Sequence, residues 1–199
     1  MEPIKEVFAK LREYDFGVSG ARALEVFGRC GDWHTQHYQS LVGSLEVWEI
    51  DSIYREDLKK NLPNAVIKIT DSYQEILSTT DKFDIIVIDN PQSIFDDRQF
   101  CEHFDLFPDI LRISAETVCV ILNVNFEPYN FDRESPWYKR RQQFYATDNP
   151  EKLKVDEVIE TYKRIAEGNG FAWNYAFLVP RNSFISYLCF CISRRLPVE

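Results

Sequence analysis

Apolar residues recur at two spacings along this chain, and the switching between them sets the expected architecture. Glu2 to Tyr14 carries Ile4, Val7, Phe8 and Leu11 at helical spacing, which predicts a leading helix. Asp15-Phe16-Gly17-Val18-Ser19-Gly20 punctuates it. A short apolar strand follows over Ala21 to Phe27, and Asp32 is placed to cap a helix over Trp33 to about Leu41. Strands over Leu45–Ile50 and Ala65–Thr70 flank a helix that Asp51-Ser52 opens and Pro63-Asn64 breaks. A short helix over Tyr73–Leu77 then leads to Phe83-Asp84-Ile85-Ile86-Val87-Ile88-Asp89. That near-continuous apolar run suits a parallel strand covered on both faces.

Arg98 to Ile113 carries a helical stripe that Pro108 kinks, and Thr117–Val124 is a fifth strand. Asn125 to Pro150 is aromatic and polar without a clear period, the mark of a functional loop or of one holding its own small helix. Lys152–Glu167 is a last helix. Phe171–Val179 and Ser183–Ser193 form an antiparallel hairpin about Pro180-Arg181-Asn182. Strand and helix therefore alternate five times before the hairpin, which implies a mostly parallel sheet with right-handed crossovers in one α/β domain of 199 residues.

Charge and cysteines narrow the setting. The formal net charge of −9 repels nucleic acid, making it a poor default partner, and Lys139-Arg140-Arg141 is a short basic run of the kind usual on solvated faces. The five cysteines are scattered, with no C-x-x-C pair, so neither a disulfide framework nor a zinc knuckle is indicated. Buried reduced thiols fit Cys189 and Cys191. Met1 to Glu13 lacks an apolar signal core, and no apolar run reaches the roughly 18 residues of a membrane helix. A reducing, cytoplasmic setting is expected.

The chemistry gathers at strand ends. In Arg22–Gly31 a carboxylate, Glu25, sits inside an apolar strand, where a charge is costly unless paired. Gly28 and Gly31 follow at the strand's carboxyl end, the side on which open α/β sheets bind ligands. Glu49 closes the second strand, the usual place for an acid that holds ribose hydroxyls, while Asp51 sits where a helix cap is wanted. Asp71-Ser72 closes the third strand, as a helix cap or as an acceptor for an adenine amino group.

This ordered set resembles the class I S-adenosylmethionine-dependent methyltransferases, from about Arg22 to the carboxyl terminus. Glu25 with Gly28 and Gly31 is similar to that family's first motif, Trp48-Glu49-Ile50-Asp51 to its second, and Ile69-Thr70-Asp71-Ser72 to its third. Phe83 to Pro91 is similar to its fourth-strand motif. In strict register from Glu25 the family's glycine positions hold Phe27, Arg29 and Gly31, so Gly28 is displaced by one.

The resemblance implies a three-layer, Rossmann-like sandwich with strands in the order 3-2-1-4-5-7-6, strand seven antiparallel. It implies S-adenosylmethionine as cofactor, held by Glu25, Gly28, Gly31, Glu49, Asp71, Ser72 and Asp89. It further implies methyl transfer to a small soluble acceptor through oxygen or nitrogen, with Asp89 as the best-placed base ahead of His103 and Tyr129. Gln92–Asp97 and Phe126–Tyr145 wall the acceptor side in this reading. Trp137, Arg140 and Arg141 then stack on a ring and hold an anionic group from a lid over 125–150.

The metal-dependent, catechol-type branch needs a second acid where this chain has Leu122-Asn123, so no metal site is expected there. His34 and His37 lack a nearby third ligand. A methyltransferase-like binding or assembly protein without catalysis is the other reading, and homo-oligomerisation stays open.

Overall fold

The computed structural model describes residues 2–89, 104–126 and 133–195. Seven strands form one sheet in the order β3-β2-β1-β4-β5-β7-β6. They are β1 (Arg22–Glu25), β2 (Ser44–Glu49), β3 (Val66–Ile69), β4 (Phe83–Ile88), β5 (Ser114–Asn125), β6 (Phe171–Pro180) and β7 (Ile185–Arg194). Strands β1 to β5 pair in parallel, and β7 runs antiparallel to both β5 and β6. The expected order and the reversed seventh strand are both present.

Side chains alternate across a strand, and that period sorts the core into two halves. Leu24, Trp48, Ile86, Val120 and Phe190 face one way, toward α3 (Ser72–Ser78), α5 (Pro136–Tyr145) and α6 (Val155–Gly168). Ala23, Val47, Val87, Ile121 and Cys189 face the other, toward α1 (Pro3–Glu13) and α2 (Arg55–Asn61). Ile4, Val7, Phe8 and Leu11 of α1 are fully buried there, as their spacing predicts. The same alternation places Glu25, Glu49, Asp89, Asn123 and Tyr187 on the α1 side of the sheet.

Two expectations change, and the 125–150 segment takes one of its two expected forms, a small helix of its own. Trp33–Leu41 is not a helix but a run of turns around a short 3-10 turn at Thr35–His37. Arg29 (φ 45) and Gly31 (φ 67) turn the backbone left-handed ahead of it, and His34, Thr35 and Tyr38 all turn inward to Glu25. Over Arg98–Ile113 the described helix is α4 (Phe107–Ile110), with Pro108 in its first turn, where proline is tolerated, rather than at a kink. The 125–150 segment holds α5, capped by Ser135, whose hydroxyl accepts the Tyr138 N–H. Gln92–Asp97, His103 and Tyr129 lie outside the described residues.

Candidate active site

Three neighbouring parallel strands finish on acids: β2 on Glu49, β1 on Glu25, and β4 on Asp89 just beyond Ile88. Chain order reverses between β1 and β4, and the crevice at such a switch point is where open α/β sheets take ligands.

Glu25 is fully buried. Its Oε2 accepts from Tyr38 Oη at 2.6 Å and Thr35 Oγ1 at 3.4 Å and lies 3.0 Å from His34 Nε2, while Oε1 has no partner among the described residues. The far side of the His34 ring meets the second acid, with Nδ1 2.6 Å from Asp89 Oδ2 as an ion pair rather than an in-line hydrogen bond. Burial alone would lower the His34 pKa, but the carboxylates on both sides push it up to about 10, so the ring is an imidazolium with a proton on each nitrogen.

Asp89 also accepts from Arg181 Nη1 at 2.6 Å and Tyr187 Oη at 3.1 Å. Burial works to raise its pKa, yet the charges of His34 and Arg181 prevail and hold it below the usual carboxylate value. Arg181 Nη1 donates as well to Asn123 Oδ1 at 3.0 Å, and the guanidinium lies 4.7 Å from the ring centre of Trp33. Burial, followed by the nearby Glu25 charge, drives the Tyr38 hydroxyl well above its ordinary pKa. Burial and Asp89 do the same to Tyr187.

Asp89 thus stands where it was expected, at the end of β4, but as the centre of an ion cluster. A carboxylate with a lowered pKa is a poor proton acceptor, which weakens the role of base.

Glu49 is engaged by the backbone. Its Oε2 accepts Arg29 N–H at 2.6 Å and its Oε1 accepts Asp51 N–H at 2.8 Å. Asp51 caps the following turn through Ile53 N–H, and Asp71 caps α3 through Tyr73 N–H, each at 3.0 Å. Ser72 Oγ donates to the Val26 carbonyl at 2.7 Å, tying α3 to the end of β1.

The two glycines pack against protein. A Cβ on Gly28 would stand 2.3 Å from Val47 Cγ1, and one on Gly31 would stand 2.6 Å from Leu62 Cδ1. Their lack of a side chain lets the β1 turn sit against β2 and α2, the opposite of an open cradle.

The basic pair assigned to a lid is placed differently. Arg141 is fully buried, with Nη2 donating to the Asn125 carbonyl at 2.6 Å, and its guanidinium lies over the rings of Trp137 and Tyr145. Trp137 is buried as well, and Arg140 pairs with Asp105 at 2.5 Å. Trp137 and Arg141 are therefore part of the packing, which corrects the lid assignment for these two residues.

Reading the sequence missed Tyr38, Arg181 and Tyr187, and weighed His34 and Asn123 only as metal-site positions. A usable signal was the hairpin itself: Asn125 pairs with Ile185, so the β6–β7 loop carrying Arg181 must lie at the same sheet edge as the strand-end acids. Among the described residues no group of three or more His, Cys, Asp and Glu side chains is arranged to hold a metal ion. No described helix is long and apolar enough to cross a membrane.

No protein-family model matches the sequence, and no curated protein does. Solved structures do match in shape. A protein described as an RNA methyltransferase from Pyrococcus horikoshii superposes with a TM-score of 0.57 at 14% identity, over 98% of this chain and 83% of that one. The fold is that of the class I methyltransferases. Ribosomal protein L11 methylase from Lactobacillus delbrueckii subsp. bulgaricus gives 0.55 at 14% identity, over 95% and 78% of the two chains. Magnesium protoporphyrin IX methyltransferase from Synechocystis PCC 6803, solved with bound S-adenosylmethionine, gives 0.56 at 10% identity, over 96% and 78%.

The three class I methyltransferase structures are named for different acceptors, so likeness at this level fixes the fold and not the substrate. It also overturns the expectation that nucleic acid is a poor partner. A net charge of −9 is no bar when this fold, over nearly the whole chain, is shared with a protein described as acting on RNA.

Proposed function

We propose that this protein transfers a methyl group from S-adenosylmethionine to an oxygen or nitrogen acceptor at the carboxyl edge of β1 and β4. The observation that carries the reading is the row of acids closing β2, β1 and β4 at the switch point of a class I methyltransferase fold. Glu49 keeps a lone pair on each oxygen beyond those used by Arg29 and Asp51, enough for two ribose hydroxyls. Glu25 Oε1, buried and without a partner among the described residues, suits a cationic group such as the methionine ammonium. Asp71 has one oxygen spent on the α3 cap and one left for an adenine amino group.

When bound, the cofactor supplies an electrophilic methyl on a sulfonium. What this chain contributes is alignment and exclusion of water. Asp89, held ionised by His34 and Arg181, would accept a hydrogen bond from the acceptor's O–H or N–H and orient its lone pair. Tyr187 and Asn123 fix that carboxylate and its arginine.

One observation favours the non-catalytic reading: both Glu49 oxygens already receive backbone amides from the chain itself. Calorimetric titration of the full chain with S-adenosylhomocysteine separates the two. Micromolar binding is expected, together with labelled methyl transfer from S-adenosylmethionine to a panel of small acceptors or to RNA. A folded protein that takes up no S-adenosylhomocysteine at millimolar concentration leaves the non-catalytic reading.

A further inference from the structure

The Arg181 end of the ion cluster opens into a cleft of about 250 Å³ between the start of α1 and the β6–β7 loop, lined by Ile4, Trp33, His34, Arg181, Asn182 and Tyr187. Trp33 is the unusual member. Trp48 and Trp137 are buried and Trp173 is half-buried, but Trp33 is 65% exposed, so packing does not account for it. Arg181 covers part of the indole and leaves most of it open. With the Arg181 guanidinium over part of one face, an indole this exposed offers its remaining surface as a stacking platform with a cation beside it.

The donors in the cleft outnumber the acceptors. Arg181 spends Nη1 on Asp89 and Asn123, and its Nε and Nη2 have no partner among the described residues. Asn182 Oδ1 accepts the Phe184 and Ile185 N–H groups at 2.9 and 2.8 Å, which turns its amide NH₂ outward as a further donor. The acid on the rim is Glu2, more than half exposed and 4.0 Å from His37. A carboxylate is satisfied by the two nitrogens of an arginine fork, whereas a third donor suits the three outer oxygens of a phosphate.

We propose that this cleft binds a nucleotide unit, its base stacked on Trp33 and its phosphate on the outer edge of Arg181 and the Asn182 amide. The ring-and-cation pair first sought in the 125–150 segment is here instead. The proposal names the acceptor's chemical class, a step that rests on the methyl-transfer reading, while the binding itself does not. A single nucleotide and the exposed end of a single strand carry this chemistry alike, and a cleft of this size takes one unit rather than a duplex.

The test is calorimetry on the full chain with S-adenosylhomocysteine saturating, so that ligands are kept from the cofactor's own place. The four ribonucleoside 5′-monophosphates, their nucleosides and ribose 5-phosphate are titrated in turn. At least one monophosphate is expected to bind ten or more times tighter than both its nucleoside and ribose 5-phosphate. Trp33→Ala should lose at least tenfold and Arg181→Lys at least fivefold, with thermal melts confirming that both variants fold. An octanucleotide that binds at least tenfold tighter than the monophosphate, and loses this with Trp33→Ala, assigns the unit to a strand. One that binds no tighter assigns it to a free nucleotide.

Equal binding of nucleotide and nucleoside, binding indifferent to Trp33, or no binding of monophosphate or octanucleotide overturns the proposal. S-Adenosylhomocysteine binding without nucleotide binding defeats the cleft and spares the methyl-transfer reading. Nucleotide binding without S-adenosylhomocysteine does the reverse.

Discussion

Glu49 accepts the backbone N–H of Arg29 at 2.6 Å, and Arg29 is held in the left-handed region at φ 45. A non-glycine residue there costs on the order of 1 kcal/mol, so the contact has to offset that strain. The acid at the ribose position is therefore also the clasp that shapes the turn after β1.

That double role gives the first prediction. Glu49→Gln keeps the size of the side chain and removes its charge, weakening hydrogen bonds worth about 1.5–3 kcal/mol each. Calorimetry should show S-adenosylhomocysteine binding at least tenfold weaker, with a lower melting temperature as the Arg29 and Asp51 amides lose a charged acceptor. A lower melting temperature with unchanged affinity would leave Glu49 as a clasp alone.

Gly28 should tolerate no side chain. Its added methyl would meet Val47 Cγ1 at 2.3 Å, so Gly28→Ala is expected to cost about 1–3 kcal/mol by overpacking. At roughly 2–4 °C per kcal/mol, the loss is visible in a thermal melt. Combining it with Val47→Ala should cost less than the two single changes added together. Strict additivity would mean that Gly28 is there for some other reason.

The fold was legible because its information is local: apolar runs switch period five times, and the closing hairpin forces the reversed β7. The buried charge of Glu25 was legible too, as an acid inside an apolar strand. Its surroundings were not, because His34 and Tyr38 come from a stretch that reads as a helix behind an Asp32 cap. The pull of a buried carboxylate on three inward side chains overrides that local signal. Arg181 and Tyr187 reach Asp89 across more than ninety positions of sequence, a pairing that no spacing rule exposes. In 125–150 the arginines were visible but not which faced inward, since Arg141 is buried on aromatic rings that pattern alone assigns equally to a ligand.

The His34 cluster predicts a pH dependence with a definite sign. Unfolded imidazole titrates near 6.5 and the folded ring near 10, so its stabilising effect is complete below about pH 6.5 and is lost as pH rises through about 10. Asp89 is shifted downward, so its contribution is present above about pH 4, the unfolded carboxylate range, and is lost as pH falls through its lower folded value. His34→Ala leaves two buried carboxylates short of a partner and should cost about 3 kcal/mol or more near pH 6. Denaturant melts of both proteins should show that gap narrowing toward pH 10. A gap equal at pH 6 and pH 10 would mean the ring is neutral.

The two arginines of α5 should separate cleanly. Arg141 is fully buried, donates to the Asn125 and Pro150 carbonyls and lies over Trp137 and Tyr145. Arg141→Ala removes those donors and opens a cavity, at an expected cost of about 3 kcal/mol or more. Arg140 meets Asp105 at the surface, where an ion pair is worth about 1 kcal/mol or less, so Arg140→Ala should cost clearly less than Arg141→Ala. Neither change should alter S-adenosylhomocysteine affinity measured well below the melting temperature, because the acids at the strand ends remain in place. Measuring melting temperature, affinity and methyl turnover on the same preparations decides between packing and a lid. If Arg141→Ala melts like the parent while turnover falls in both variants, α5 acts on the acceptor after all, and the packing account of Arg141 is wrong.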